Sequence, residues 1–469
     1  MRLYELLAML GNDHGAFSDA DVVGISTDSR SIRPGELFIP ISGENFNGHR
    51  FIASALGQGA VAALSSEPAG EGNGQGKIIP VEDTLLAYHR IAACYREKFP
   101  VRVVAVTGSN GKTTTKDLIH EVLSRRYRTL RTEANYNNEI GVPHTVMQLD
   151  EKSEMLVIEL AMRGKGQIAQ LAGIVKPHVG VITIIGEAHY ELLGSYEAIA
   201  DAKGELLLAL PPDGAAVLNR DDRWYDHLAG KFPGNKYSFG EDQKASLRML
   251  ECRPQSSGGF NVKVASFSGG ELEFSIPFLG LHNVYNTMAA VAVGLLHQVP
   301  PGQIQEALNS SKITGKRMEK LVTGQGVIVI NDTYNASPRS MEYAIRTLAL
   351  LPGVTRRIAV LGDMRELGGI AEEAHRATGR MVREAGIDYL VTLGDLGKLI
   401  HEEALRSGMP SGRCFWYESK DEAGAMLAGI LSRGDAVLVK ASRLMKLEEI
   451  VEHVMRRGGH EKSSLSASP

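Results

Sequence analysis

The chain is poor in several things that commonly declare a protein's class. Of its 469 residues only three are cysteine, Cys94, Cys252 and Cys414, and no two stand in a C-x-x-C spacing. That argues against a disulfide framework or a cysteine zinc site and fits a reducing compartment. Net charge is −4, so no overall field draws the protein to nucleic acid or to an anionic membrane. No apolar run approaches the length of a membrane span. Met1-Arg-Leu-Tyr-Glu5 leads into no sustained apolar segment, so no signal peptide is expected. Aromatic residues are few at 6%, against 51 glycines, a balance that suits an α/β protein with many tight turns.

What is present is a soluble, globular composition, 43% apolar and 23% charged, in a chain long enough for two to four domains. Its most informative stretch is Thr107-Gly-Ser-Asn-Gly-Lys-Thr-Thr-Thr115. The β-branched run Val101 to Val106 precedes it, and Leu118, Ile119, Val122 and Leu123 follow at helical spacing. Strand, glycine turn, Lys-Thr and helix are the context in which a loop wraps phosphate with its backbone N–H groups. Gly108, Ser109, Asn110, Gly111, Lys112, Thr113 and Thr114 are therefore candidate nucleotide contacts. Lys112 would reach the β- and γ-phosphates and the Thr113 hydroxyl would hold Mg²⁺. The loop is a short variant, because Val106 stands where the general pattern has its first glycine.

Residues 1–99 read as a small α/β domain, with helices expected over Tyr4–Leu10, Ile52–Gln58 and Asp83–Phe99 and strands over Leu37–Ile41 and Val61–Leu64. Glu67–Gly76 reads as an exposed glycine-rich turn. Ser29 and Arg30 lie in a polar cluster that serves either as a solvated turn or as a ribose and diphosphate contact. Residues 100–312 read as the nucleotide domain. The loop Thr132–Pro143 carries Asn135, Asn137 and Asn138, amides suited to a polar ligand. Met155–Glu159 is a buried-strand pattern ending in a carboxylate, at the sheet edge where α/β proteins bind ligands, and Glu159 there is a natural Mg²⁺ partner. Val179–Ile185 reads as a strand followed by His189, which alone is more often structural than a ligand. Lys203, on a helix over Ser195–Leu210, reads by itself as solvated. Residues 236–278 read as a β-rich insertion, and Gly280–Asn286 as the opening of a small-residue helix, Met288–Leu296. Residues 313–458 alternate again, with four strands at Gly326–Ile330, Arg357–Leu361, Tyr389–Leu393 and Ala436–Lys440, each releasing a polar loop. That pattern predicts a second doubly wound sheet. Residues 459–469 have a disordered composition.

Taken together, Thr107–Thr115, Asn135–Pro143, Gly186–His189, Ala202-Lys-Gly-Glu205, His282-Asn283 and Gly315-Lys-Arg317 resemble the Mur ligases and their folylpolyglutamate synthetase relatives. Ser26–Arg30 with Phe46–Phe51 resembles the UDP-sugar module of the later Mur ligases. Asn331-Asp-Thr-Tyr-Asn-Ala336 with Leu361–Gly368 is similar to the member that adds D-alanyl-D-alanine. The resemblance implies three domains: a UDP-muramoyl-peptide domain, a central ATPase and a C-terminal ligase domain. It also implies an activity, joining D-alanyl-D-alanine to UDP-N-acetylmuramoyl-tripeptide at the expense of ATP, through an acyl phosphate, in a cytoplasmic monomer. By the same resemblance, Glu159 and Thr113 hold one Mg²⁺, His189 is a second-metal ligand, and Lys203 is carried as a carbamate. Asn283 and Arg317 lie near adenine and phosphates, and Asp332 on the ribose. Ser29, Arg30, His49, Asn137, Asn138, Tyr334 and Asn335 are implied substrate contacts. Two positions depart from the family's usual asparagine, Ile184 and Ser337. A different amide ligase of the superfamily, a nucleotide-gated binding protein and a P-loop phosphotransferase are the rival readings. The UDP-type module disfavours the folate branch, and the absence of an Asp-Asn-Pro-Arg signature disfavours the preceding ligase of the pathway.

Overall fold

The computed structural model describes residues 1–11, 20–43, 45–68, 77–255, 258–311 and 315–457. Most of the expected glycine-rich turn and the expected disordered tail lie outside the described residues. Three principal sheets organise the chain. The first has four parallel strands in the order Gly24–Ser26, Glu36–Phe38, Ala62–Ser65, Ile78–Pro80. Helix Thr84–Glu97, capped by Asp83 accepting from Leu86 N–H at 2.9 Å, carries the chain out of this layer. Near its end the buried Arg96 guanidinium donates to the carbonyls of Val175 and Val101, both at 2.9 Å. A planar five-donor head can satisfy several carbonyls at once, and here it ties the first domain to the second.

The second sheet has nine strands, in the order Glu271–Ile276, Phe260–Ala265, Leu247–Pro254, Asn235–Gly240, Ala215–Asn219, Val179–Ile182, Arg102–Thr107, Met155–Glu159, Thr129–Arg131. Val103, Val104, Ala105 and Val106 are all solvent-inaccessible because both faces are covered. Val104 and Val106 pack with Leu118, Ile119 and Val122 and with the small-residue helix Leu281–Leu296; Val103 and Ala105 pack with Ile168, Leu171, Ile199 and Leu206 on the other side. The strand Met155–Glu159 and the strand leading to His189 flank Arg102–Thr107 on opposite sides. Loops from its C-terminal edge therefore diverge, which opens a crevice there. Residues 236–278 are not a separate insertion. Their strands extend this sheet, first parallel and then antiparallel, with alternate residues of Phe260–Ala265 buried.

The third sheet runs Glu319–Val322, Ile328–Asp332, Ala436–Lys440, Arg357–Gly362, Tyr389–Leu393, Cys414–Tyr417. The four expected strands are its parallel interior. Two edge strands complete it: Glu319–Val322, antiparallel and half-exposed, whose charged residues hide it from an apolar-run reading, and the short aromatic strand Cys414–Tyr417. The architecture is thus three α/β domains. Among the described residues no helix is long and apolar enough to cross a membrane.

Candidate active site

The phosphate loop leaves the strand Arg102–Thr107 and enters helix Lys112–Leu123. Two of its glycines are required by geometry. Gly108 has φ +145° and Gly111 φ +82°, and a Cβ would stand 2.0 Å from Thr183 Oγ1 at the first and 2.3 Å from Asn286 Oδ1 at the second. The Lys112 ammonium curls back to donate to the Gly108 carbonyl at 2.8 Å, and burial lowers its pKa against the pull of Glu159. Ser109 fastens the loop to its neighbour. Its N–H donates to Ile184 O at 2.7 Å, and its hydroxyl exchanges hydrogen bonds with Gly186 at 2.9 and 3.1 Å. Ile184 thus contributes only its backbone where the family often has an amide.

Glu159 closes the strand Met155–Glu159 and is 2% exposed. Asn137 Nδ2 donates to its Oε1 at 2.7 Å, whereas Oε2 is buried without a hydrogen-bond partner. A buried carboxylate oxygen left bare is costly unless something positive faces it. His189 has a left-handed backbone, φ +66°. Burial, then the charges of Lys203, Lys112 and Arg163, push its imidazole down to about 4, so the ring is neutral near pH 7. Its Nδ1 lies 3.1 Å from Glu366 Oε2 without hydrogen-bond alignment.

Lys203 is not solvated. Helix Tyr196–Leu208 buries Ile199, Ala200, Ala202, Gly204, Leu206 and Leu207 around it, and it is 1% exposed. Among the described residues its amine makes no hydrogen bond or ion pair, and burial, aided by Lys112, drives its pKa well below that of a free lysine. No three His, Cys, Asp or Glu side chains converge as a metal cage among the described residues. Any cation here would draw on a mixed donor set.

The third domain roofs the cleft. Arg317 donates to the Thr113 hydroxyl at 3.3 Å and lies 3.7 Å over the Tyr334 ring. Asn110 donates to the Ser337 hydroxyl at 3.2 Å, and Ser337 also caps helix Pro338–Leu350. Asp332 accepts from Lys440 Nζ at 2.7 Å and from Met318 N–H at 3.2 Å. The resulting cavity measures about 430 Å³ and brings together Ser109–Thr114, Asn137, Glu159, His189, Arg317, Asp332, Tyr334 and Asn335.

Other expected contacts lie elsewhere. Asn283 does not line the cavity: it is 1% exposed, and its amide donates to Leu279 O at 2.7 Å within the first turn of Leu281–Leu296. Asn286, one turn on, faces the loop instead and accepts from Thr115 Oγ1 at 3.2 Å. Asn138 is an exposed turn residue that accepts from Gly141 N–H at 2.9 Å. Ser29, Arg30 and His49 belong to the first domain and do not line the cleft. Arg30 is bidentate on Asp28, with its shortest contact 2.7 Å. His49 spends both ring nitrogens internally, on Asn47 Oδ1 and Ser42 through Nδ1 and on Ser66 through Nε2. The cleft residues missed from sequence include Arg163, Tyr285, Arg339 and Lys440. Only Lys440 carried a signal, as the last residue of an apolar strand.

A phosphate-loop sheet roofed by a second doubly wound sheet, with a small parallel-sheet domain attached, defines a nucleotide-dependent ligase of the Mur type. Models of the Mur ligase family catalytic domain, the Mur ligase middle domain and the Mur ligase glutamate ligase domain match residues 21–96, 106–294 and 316–443. The chain belongs to the Mur ligase family. It is 39% identical over 433 residues to the UDP-N-acetylmuramoyl-tripeptide--D-alanyl-D-alanine ligase of Bacillus subtilis (strain 168), covering 92% of this chain and 93% of that one. It superposes on the crystal structure of MurF from Acinetobacter baumannii with TM-score 0.88 at 28% identity, over 97% of this chain and 98% of that one. MurF ligase from Thermotoga maritima in complex with ADP gives TM-score 0.83 at 26% identity, over 92% and 97%.

Proposed function

We propose that this chain joins D-alanyl-D-alanine to UDP-N-acetylmuramoyl-tripeptide with ATP, in peptidoglycan precursor synthesis, acting as a cytoplasmic monomer. The observation that carries the reading is the meeting of a phosphate loop, a bare buried oxygen of Glu159 and a third-domain roof in one cleft. On this reading residues 1–99 hold the UDP-muramoyl-peptide, 100–312 bind ATP and 313–458 receive the dipeptide. Ser29 and Arg30 are the UDP contacts, and His49 shapes their wall from within.

The γ-phosphoryl group of ATP passes to an oxygen of the tripeptide's terminal carboxylate, leaving ADP. The dipeptide nitrogen, freed of its ammonium proton, then bonds to the acyl carbon as the bond from that carbon to the phosphate oxygen breaks; inorganic phosphate leaves and the nitrogen loses a second proton. Two anions must meet in the first step, so the protein's work is positioning and charge neutralisation. Lys112 and the amides of Gly108–Thr114 hold the phosphates. Glu159 Oε2, the Thr113 hydroxyl and the uncharged His189 ring suit Mg²⁺, which when bound neutralises charge on the phosphates. Asn137 orients Glu159. Asn283, Arg317 and Asp332 serve the nucleotide, Asn283 through the helix turn it braces. Asn138, Tyr334 and Asn335 serve the peptide end. A buried lysine without its proton has the free lone pair that carbamate formation requires. Lys203 fits that chemistry, and as a carbamate it would supply an anionic metal ligand beside His189.

The test is phosphate release with ATP and Mg²⁺, the two substrates supplied together and singly. Release that needs both supports the reading. Release with the nucleotide sugar alone would indicate a phosphotransferase, and ATP binding without turnover would favour a nucleotide-gated binding protein.

A further inference from the structure

We infer that Glu366 receives the ammonium group of the incoming amine substrate, an assignment that rests on the ligase reading above. Five cleft-lining side chains are lysine or arginine: Lys112, Arg163, Arg317, Arg339 and Lys440. That field suits a nucleotide and a carboxylate. It repels the third reactant, because an α-amino group with pKa of about 8 arrives largely protonated at neutral pH. Admitting it calls for a carboxylate that the protein has not already used.

Among the described residues three carboxylates line the cleft, Glu159, Asp332 and Glu366. Glu159 is sunk at its strand end with Asn137 on one oxygen. Asp332 is taken by Lys440 and by the Met318 N–H. Glu366 differs on both counts. Its side chain is 62% exposed, and no lysine or arginine pairs with it among the described residues. The neighbour it faces is His189, whose Nδ1 is 3.1 Å from Oε2 without a hydrogen bond.

The backbone shows that this placement is imposed. Glu366 sits at φ +63°, a left-handed conformation rare for a residue with a side chain. Its carbonyl accepts from the Glu191 N–H of the central domain at 3.3 Å. Gly368, at φ +50°, lies so close that a Cβ would be 3.2 Å from Glu191 Cα. The third domain therefore presents this carboxylate through a strained loop seated against helix Tyr190–Leu193, opposite His189. An ammonium held there stands beside His189, in the same cavity as Lys112 and Glu159, and gives up a proton to solvent before its nitrogen attacks.

The experiment compares wild type with Glu366→Gln and Glu366→Asp on two nucleophiles. One is D-alanyl-D-alanine. The other is hydroxylamine, uncharged at mildly alkaline pH, which traps the acyl phosphate as a hydroxamate. With Glu366→Gln, KM for the dipeptide should rise about ten- to a hundredfold. KM for ATP and for the nucleotide sugar should stay unchanged, and hydroxamate should form at the wild-type rate. Glu366→Asp should recover part of the dipeptide affinity. An unchanged dipeptide KM in Glu366→Gln overturns the inference, as does hydroxamate formation that falls together with amide formation. Wild-type protein that makes neither product overturns the ligase reading, and this inference with it.

Discussion

Removing the Lys440 ammonium should weaken the third domain more than any surface change. Lys440 is 2% exposed and Asp332 6%, and the two end adjacent parallel strands in register, with Nζ 2.7 Å from Oδ2. At that distance their attraction is roughly 6 kcal/mol at an effective dielectric of 20, before desolvation is subtracted. Lys440→Met leaves a buried carboxylate facing a thioether and also strips the Asn335 carbonyl of its donor at 2.8 Å. Breaking one side of such a pair costs about 3–5 kcal/mol. With a urea slope of about 2 kcal/mol/M, the midpoint should fall by roughly 1.5–2.5 M. The assay is tryptophan fluorescence during urea unfolding. Of the two tryptophans, Trp416 lies in the third domain and Trp224 in the second, so a Trp224→Phe background isolates the wanted transition. Asp332→Asn combined with Lys440→Met removes both charges yet keeps an acceptor for the Met318 N–H, and should recover most of the loss. A single variant that loses less than about 1 kcal/mol, or a double variant as unstable as the single, would refute the reasoning.

Gly111→Ala should abolish measurable ATP binding by calorimetry while leaving the fold intact by circular dichroism, since its Cβ would stand 2.3 Å from Asn286 Oδ1 at φ +82°. Loss of folding, or ATP affinity within about threefold of wild type, would contradict the loop geometry. Burial and the nearby Arg102 and His178 push the His297 imidazole from 6.5 to about 4. The unfolded chain then binds a proton that the folded chain refuses. This contribution to stability is full above pH 6.5 and lost as pH falls toward 4, by up to about 3 kcal/mol. His297→Gln should flatten that limb of the urea midpoint against pH. Protein equilibrated with ¹³C-bicarbonate should give a carbamate carbon resonance that is absent from Lys203→Arg. An identical spectrum from the two proteins would count against the carbamate.

How much of this was legible in the sequence follows from how local each feature is. The phosphate loop, Glu159 at its strand end and the helices beginning near Asp83 and Ser195 are local, and residues a few positions apart announce them. Lys203 was misread from its own residue type, because a lysine on a helix is normally solvated and only tertiary packing reveals that this helix has little free surface. Asn283 and Asn286 lie on one motif that opens a helix, as its sequence shows, but which of the two faces the loop is settled by tertiary packing that residue type does not reveal. The edge strand Glu319–Val322 of the third sheet carries no apolar run to read, and Cys414–Tyr417 is only four residues long. The roof of the cleft joins Thr113 to Arg317 and Asn110 to Ser337, pairs more than two hundred positions apart that no spacing rule connects.

The central claim is that the tripeptide carboxylate is phosphorylated before the amine attacks, and ¹⁸O in that carboxylate tests it most directly. Mass spectrometry of a complete reaction should show one ¹⁸O in each released phosphate, together with a nucleotide-sugar product heavier by one dipeptide less water. A dipeptide product accompanied by unlabelled phosphate would contradict the acyl-phosphate route. Unlabelled phosphate with no heavier product would contradict the ligase itself.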